Sequence, residues 1–166
     1  GSTRQQSVYN AVLSSGAEDN DLLVVHDAAR ALILAPTREL AMQIAEEVKR
    51  FSIYTDLRSV VIFGGIGPKA QKEQIKAGVD IIIATPGRFL DIYLSGEINT
   101  KYLQFLVLDE ADKMMDMGFI GSIHRILEVV PRKRQNLLFS ATMSELVHKI
   151  SGDVLKHQRH RSMWSR

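Results

Sequence analysis

Along most of the chain, short continuous apolar runs alternate with longer stretches in which apolar positions recur every three or four residues. The runs predict strands at 22–26, 31–35, 59–63, 79–84, 105–109 and 135–140, and the amphipathic stretches predict helices at 5–15, 39–51, 68–77, 86–94, 119–129 and 144–155. Most strand candidates are unbroken Val/Ile/Leu sequences, which is how strands read when helices cover both faces of a sheet. The expected fold is therefore α/β, a three-layer α/β/α sandwich around a mostly parallel sheet. Pro68 and Pro86 suit first-turn helix positions, where the missing N–H leaves no bond unmade.

One junction departs from this rhythm. Four residues separate the run ending at His26 from the one beginning at Ala31, whereas a parallel crossover needs roughly a dozen. Asp27, Ala28, Ala29 and Arg30 offer neither Gly nor Pro for a tight hairpin. Three paths remain open: one long bent strand, an antiparallel pair through an unusual turn, or residues 1–30 pairing with a neighbouring chain. The last would give a segment-swapped homodimer in place of a monomer.

Composition narrows the function classes. A chain of 166 residues with 45% hydrophobic content is large enough for one packed domain. Charged residues at 24% and a mean hydropathy of −0.04 argue against a disordered or membrane-embedded chain. No apolar run approaches the roughly 18 residues that span a bilayer, so no membrane partner is expected. Cysteine is absent, which excludes disulfides and thiolate metal sites and fits a reducing, cytoplasmic setting. No signal-peptide pattern is read, and Gly1-Ser2 carries no targeting argument. The net charge of +2 is concentrated at one end: Lys156, Arg159, Arg161 and Arg166 lie in a tail without one acid, and the rest holds 17 basic against 19 acidic residues. Any nucleic-acid site on the body must therefore be local and geometric, while the tail alone offers weak, salt-sensitive phosphate binding.

Candidate chemistry gathers where strands end. Val107-Leu108-Asp109-Glu110-Ala111-Asp112 delivers adjacent carboxylates at a strand's C-terminal end, the edge at which open parallel sheets bind ligands. Asp109 suits a hydrated Mg²⁺ and Glu110 suits an attacking water, the division of labour that phosphoryl transfer requires. Two acids after a strand are common, and alone they would read as a solvated turn. Four companions change that reading: Pro36-Thr37-Arg38-Glu39-Leu40, Gly64-Gly65, Thr85-Pro86-Gly87-Arg88 and Ser140-Ala141-Thr142 each follow a strand. In this order and spacing, residues 31–155 resemble the first RecA-like core domain of the DEAD-box ATP-dependent RNA helicases.

The resemblance implies an ATP hydrolase using ATP and Mg²⁺, with Asp109, Glu110, Ala111 and Asp112 as the catalytic tetrad and Asp109 nearest the metal. It also implies an RNA-binding set made of Pro36, Thr37, Arg38, Gly64, Gly65, Thr85, Pro86, Gly87 and Arg88. Arg38 and Arg88 would fork onto phosphate oxygens, Thr37, Thr85 and the helix-opening N–H groups would bind the same backbone, and the glycines would allow close approach. Such contacts hold single-stranded RNA without reading its bases. Ser140 and Thr142 would link the carboxylates to the RNA surface, and contacts to Asp109 or Asp112 in a buried polar network are expected. Met114, Met115, Met117 and Phe119 read as packing residues, and His124 and His148 as ordinary helix residues without metal-ligand spacing.

One part of the family pattern is missing. A phosphate-binding loop, G-x-x-x-x-G-K-[ST], should precede Pro36. None of the eleven glycines is followed by lysine, and no glycine occurs between Gly16 and Gly64. The glutamine segment that reads adenine and a second core domain are not found either. No cofactor is therefore expected to bind tightly, and the chain is expected to be silent as an ATPase. In the loop's place, Gly1-Ser2-Thr3-Arg4-Gln5-Gln6-Ser7-Val8 and His26-Asp27-Ala28-Ala29-Arg30 resemble the middle of 2-C-methyl-D-erythritol 4-phosphate cytidylyltransferases. That resemblance implies Ser7 near a cytosine and Asp27 on Mg²⁺, without implying transferase activity. Residues 1–30 are thus expected to be a foreign α-β unit, 31–155 the helicase core segment and 156–166 a disordered basic tail. A chimeric or truncated helicase-derived α/β domain with weak, sequence-independent RNA-backbone binding is the corresponding functional expectation; the alternatives are an engineered or recombined α/β scaffold with no selected activity, and helicase function completed by another chain.

Overall fold

A computed structural model describes residues 29–155. Five strands, β1 (Ala31–Leu34), β2 (Ser59–Ile62), β3 (Ile81–Ala84), β4 (Phe105–Leu108) and β5 (Gln135–Leu138), form one sheet in the order β2-β3-β1-β4-β5. Every pairing is parallel, and the register is flush, with Leu34 beside Ala84 and Leu108, and Leu108 beside Leu138. Six helices connect and follow them: α1 (Arg38–Phe51), α2 (Lys69–Lys76), α3 (Pro86–Leu94), α4 (Ala111–Asp116), α5 (Ile120–Val129) and α6 (Glu145–Leu155). The three-layer parallel α/β fold expected from the apolar runs is the fold observed.

Sheet order decides which helix lies on which face. The step from β1 to β2 runs across the sheet in one direction and the other three steps run back, so right-handed crossovers send α1 to one face and α2, α3 and α5 to the other. The two cores agree. On the larger side Leu32, Ile62, Ile82, Leu106 and Leu108 pack against Ile75 of α2, Phe89 and Ile92 of α3, Met114 of α4, Ile123 and Ile126 of α5, and Val147 and Ile150 of α6. On the smaller side Ala35 and Ile83 meet Ala41, with Ile33, Val61 and Ile81 beside Leu40, Ile44 and Val48 of α1.

The N-termini have local causes. Thr37, extended at φ −126°, caps α1 with its hydroxyl accepting from the Leu40 N–H at 3.2 Å, while Glu39 in the first turn and Lys49 and Arg50 in the last match the helix dipole. Pro86 opens α3 at its first turn, and Pro68 caps α2 just outside it. The polar Asn136 within β5 is 8% exposed and fully engaged, its Nδ2 donating to Val154 O of α6 at 2.6 Å and its Oδ1 accepting from Arg134 Nε at 2.8 Å.

Two expectations are corrected here. Residues 111–116 form a helix, α4, where none was predicted. Met114 and Met115 on it are buried core residues as expected, but Met117, at the helix end, is 49% exposed. The path through 27–28, the segments 1–28 and 156–166, and with them Asp27, lie outside the described residues.

Candidate phosphate-binding edge

Because all five strands point one way, the residues that follow them share one edge. In sheet order it carries Gly64 and Gly65, then residues 85–88, then 36–38, then Asp109 and Glu110, then Ser140. The five strand-end motifs singled out between residues 36 and 142 are therefore brought to one edge.

On the β2-β3-β1 side the edge is built from helix starts and a glycine loop. The Thr37 hydroxyl caps α1 as an acceptor, which leaves its own proton free to donate outward. Pro36 is buried beneath it. Arg38 is half exposed and rests against its neighbour, with Nη2 at 3.2 Å from Glu39 Oε1. The Glu39 carboxyl is held below its ordinary value, first by a backbone N–H and then by Arg38. Thr85 makes no capping hydrogen bond, so the opening N–H groups of α3 remain available at the edge above the buried Pro86. Gly65 needs to be glycine for conformational reasons, at φ +86°, whereas a Cβ on Gly64 or Gly87 would meet nothing within 4 Å. Close approach at those two positions is a matter of a ligand's needs and not of the surrounding protein.

Arg88 departs from expectation. Its side chain is only 11% exposed and lies 3.8 Å from Asp91. Nη2 donates to the Ile66 carbonyl at 2.8 Å and Nη1 to Gln71 Oε1 at 3.3 Å. In this arrangement the guanidinium is spent on holding the Gly64-Gly65 loop and is not spread toward solvent as a phosphate fork. Gln71, which belongs to no motif in the sequence, is 4% exposed and grips both backbone groups of Phe63, each at 3.2 Å.

On the β4-β5 side the edge is acidic. The Asp109 N–H continues the ladder by donating to Leu34 O at 3.0 Å, and Asp109 Oδ1 accepts from the Glu110 N–H at 2.9 Å. Glu110 has φ 49° and ψ 53°, and among the described residues it is the one non-glycine with positive φ. This turn sends the Ala111 N–H across to Phe139 O at 2.9 Å and starts α4. Glu110 Oε2 is buried without a hydrogen bond of good geometry, although Lys113 Nζ stands 3.4 Å away as an ion-pair partner. A lysine at that distance compensates the carboxylate charge whatever the angle.

Asp112, and not Asp109, receives the hydroxyl segment. Its Oδ2 accepts from both the N–H and the Oγ1 of Thr142 at 2.9 Å, and its own N–H donates to Ser140 Oγ at 3.2 Å. Ser140 Oγ donates in turn to Thr142 O at 2.8 Å. Thr142 is the main cause that holds the Asp112 carboxyl below its usual value. The network is open to solvent, with Thr142 exposed and Asp112 and Ser140 half-buried, and not buried as expected.

Metal fit can be judged from the donors. Among the described residues no group of three or more acidic or histidine side chains is placed to hold a cation. Asp109 offers one carboxylate oxygen not taken by the Glu110 N–H. That suits Mg²⁺ arriving with phosphates and waters as most of its ligands, the usual way this ion is bound, and not a freestanding metal site.

The DEAD/DEAH box helicase family model matches residues 8–150, and the chain belongs to that family. Its similarity to "DEAD-box ATP-dependent RNA helicase 52A" of Oryza sativa subsp. japonica is 46% identity over 132 residues, 77% of this chain and 22% of that protein. "Probable ATP-dependent RNA helicase DDX43" of Homo sapiens is 50% identical over 125 residues, 75% of this chain and 19% of that protein. A crystal structure of a DEAD box protein from the hyperthermophile Methanococcus jannaschii matches with a TM-score of 0.73 at 37% identity, covering 76% of this chain and 35% of that one. The chain thus spans about a fifth of the length of these two curated relatives. The family match begins inside the first 30 residues and overlaps the segment set apart in the sequence.

Proposed function

We propose that this chain is the RNA-backbone-binding lobe of an ATP-dependent RNA helicase core, and that by itself it neither hydrolyses ATP nor unwinds RNA. The observation that carries the first half is the convergence at one sheet edge of the α1 start with Thr37, the uncapped α3 start with Thr85, and the exposed Gly64-Gly65 loop. Backbone N–H groups, hydroxyls and one half-exposed arginine bind phosphates without selecting bases. The second half rests on the sequence: with no glycine followed by lysine, no nest surrounds a triphosphate. Bound Mg²⁺ would neutralise phosphate charge beside Asp109, and Glu110 would orient a water once freed from Lys113.

Fluorescent single-stranded RNA titrated at two salt concentrations tests binding. Affinity should fall with salt, with a log–log slope of about −0.7 per phosphate contact. It should survive deletion of residues 156–166; loss of all affinity with the tail would remove the body from the reading. Phosphate release from ATP should stay at the buffer level with and without RNA, and clear RNA-stimulated turnover would overturn the proposed silence.

The acidic edge favours a second reading, in which another chain supplies the phosphate loop and completes the helicase. Turnover that appears only on mixing with a loop-bearing partner would select it. The foreign origin of residues 1–30 belongs to the same proposal, and a native transcript reading continuously through codon 30 from a single helicase gene would remove it.

A further inference from the structure

Gln71 and Arg88 sit under two segments of the edge, and their hydrogen bonds join what the sequence separates. Gln71, near the start of α2, uses its amide as a third strand would. Oε1 accepts the Phe63 N–H and Nε2 donates to the Phe63 carbonyl, both at 3.2 Å, just past the end of β2. Only one orientation of the amide satisfies this pair, and it leaves Oε1 as the acceptor that Arg88 Nη1 reaches at 3.3 Å. Arg88 Nη2 then takes the Ile66 carbonyl at 2.8 Å. The loop is gripped at Phe63 by Gln71 and at Ile66 by Arg88, and what protrudes between the two grips is Gly64-Gly65. Arg88 itself belongs to the 85–88 turn that opens α3.

We infer that Gln71 is a positioning residue for nucleic-acid binding, which with Arg88 locks the Gly64-Gly65 loop to the 85–88 turn so that the two present their backbone groups as one unit. Both side chains are largely buried, at 4% exposure for Gln71 and 11% for the Arg88 side chain, so each acts through the loop and not as a ligand contact. A glycine pair has more conformations to lose on binding than any other dipeptide, and a loop clamped at both ends has lost them in advance. The inference rests on the RNA-binding reading for its functional meaning and on the hydrogen bonds alone for the clamp.

The experiment uses the full chain and compares Gln71→Met, Arg88→Met and the double variant. Methionine keeps most of the buried volume at residue 71 while removing the amide. Each single variant should weaken single-stranded RNA binding by roughly three- to tenfold, the scale of one or two net hydrogen bonds. The double variant should be little worse than either single one, because both break the same clamp. Amide hydrogen exchange at 64–66 and at 87–88 should accelerate in all three variants, while exchange in β1 and β4 stays unchanged. Additive losses of affinity, with Arg88→Met also reducing the salt slope by about 0.7, would make Arg88 a phosphate ligand and overturn the inference. Unchanged exchange at 64–66 in Gln71→Met would overturn it too. Should the unsubstituted chain bind no RNA, the proposed function fails, and the exchange measurement still decides whether the clamp exists.

Discussion

The two halves of the sheet are finished to different degrees. Around β2, β3 and β1 both faces are covered: Ile83 and Ala35 are sealed beneath α1, and Ile62, Ile82 and Leu34 beneath the helices opposite. Around β4 and β5 the described residues cover only one face. On the other, where register and pleat place Phe105, Val107, Leu137 and Phe139 together, Phe105 is 41% and Phe139 53% exposed and the other two are half-buried. The edges above follow suit. The first half presents N–H groups over a clamped loop; the second presents three acids and an open hydroxyl network. Among the described residues, two-sided packing and exposed helix-start N–H groups thus reside on one side, and the carboxylates and hydroxyls on the other.

The sharpest way to break this contrast is to cut a core side chain from each half. Ile83→Ala, at a fully buried position, should destabilise by about 2–5 kcal/mol through lost burial and a cavity, whereas Phe139→Ala should cost under about 1 kcal/mol because half of the ring is already in water. Urea unfolding of the two variants would measure the gap, and equal losses would mean that the β4-β5 face is covered in solution. Asn136→Ala comes next. It strips Val154 O and Arg134 of a buried partner and should lower stability by about 1–3 kcal/mol in the same assay, showing that α6 anchors the second half by polar contacts as well as by Val147 and Ile150. Thr37→Ala removes the α1 cap and should cost about 0.5–2 kcal/mol, read as a fall in thermal midpoint.

The smallest effect expected concerns pH. Asp112 is held below its ordinary value, so its contribution to stability is present at neutral pH and is lost as pH falls through the acid range of the folded carboxyl. Thr142→Val removes the leading cause and should move the Asp112 titration upward, flattening that acid limb. Carbon-13 NMR of the carboxyl would follow it, and an unmoved midpoint would show that backbone donors suffice.

Much of this was legible in the sequence because parallel strands buried on two faces are continuous apolar runs. All five strands and five of the six helices in the described residues lie within one or two residues of their expected bounds. The exception, α4, is six residues long and opens on Glu110-Ala111-Asp112, so its only apolar signal is the Met114-Met115 pair. The edge segments were legible as a set, since every strand end in a parallel sheet meets the same border. Not all of their partners were. The Asp112–Thr142 contact was expected from the family resemblance, whereas Arg88 reaches Ile66 across 22 residues, and no local spacing encodes that contact. Exposed arginine and buried network were both reasonable for those residue types, and tertiary geometry reversed each.

Glu110 carries one more implication. Its left-handed backbone is a conformation that glycine or asparagine adopts with less strain, by about 1–2 kcal/mol for a residue with an ordinary side chain. A chain selected for durability alone would be better served by glycine at this bend. Keeping a carboxylate there means tolerating a standing conformational debt, and Glu110→Gly should therefore yield a sturdier protein that has lost the carboxylate paired with Lys113.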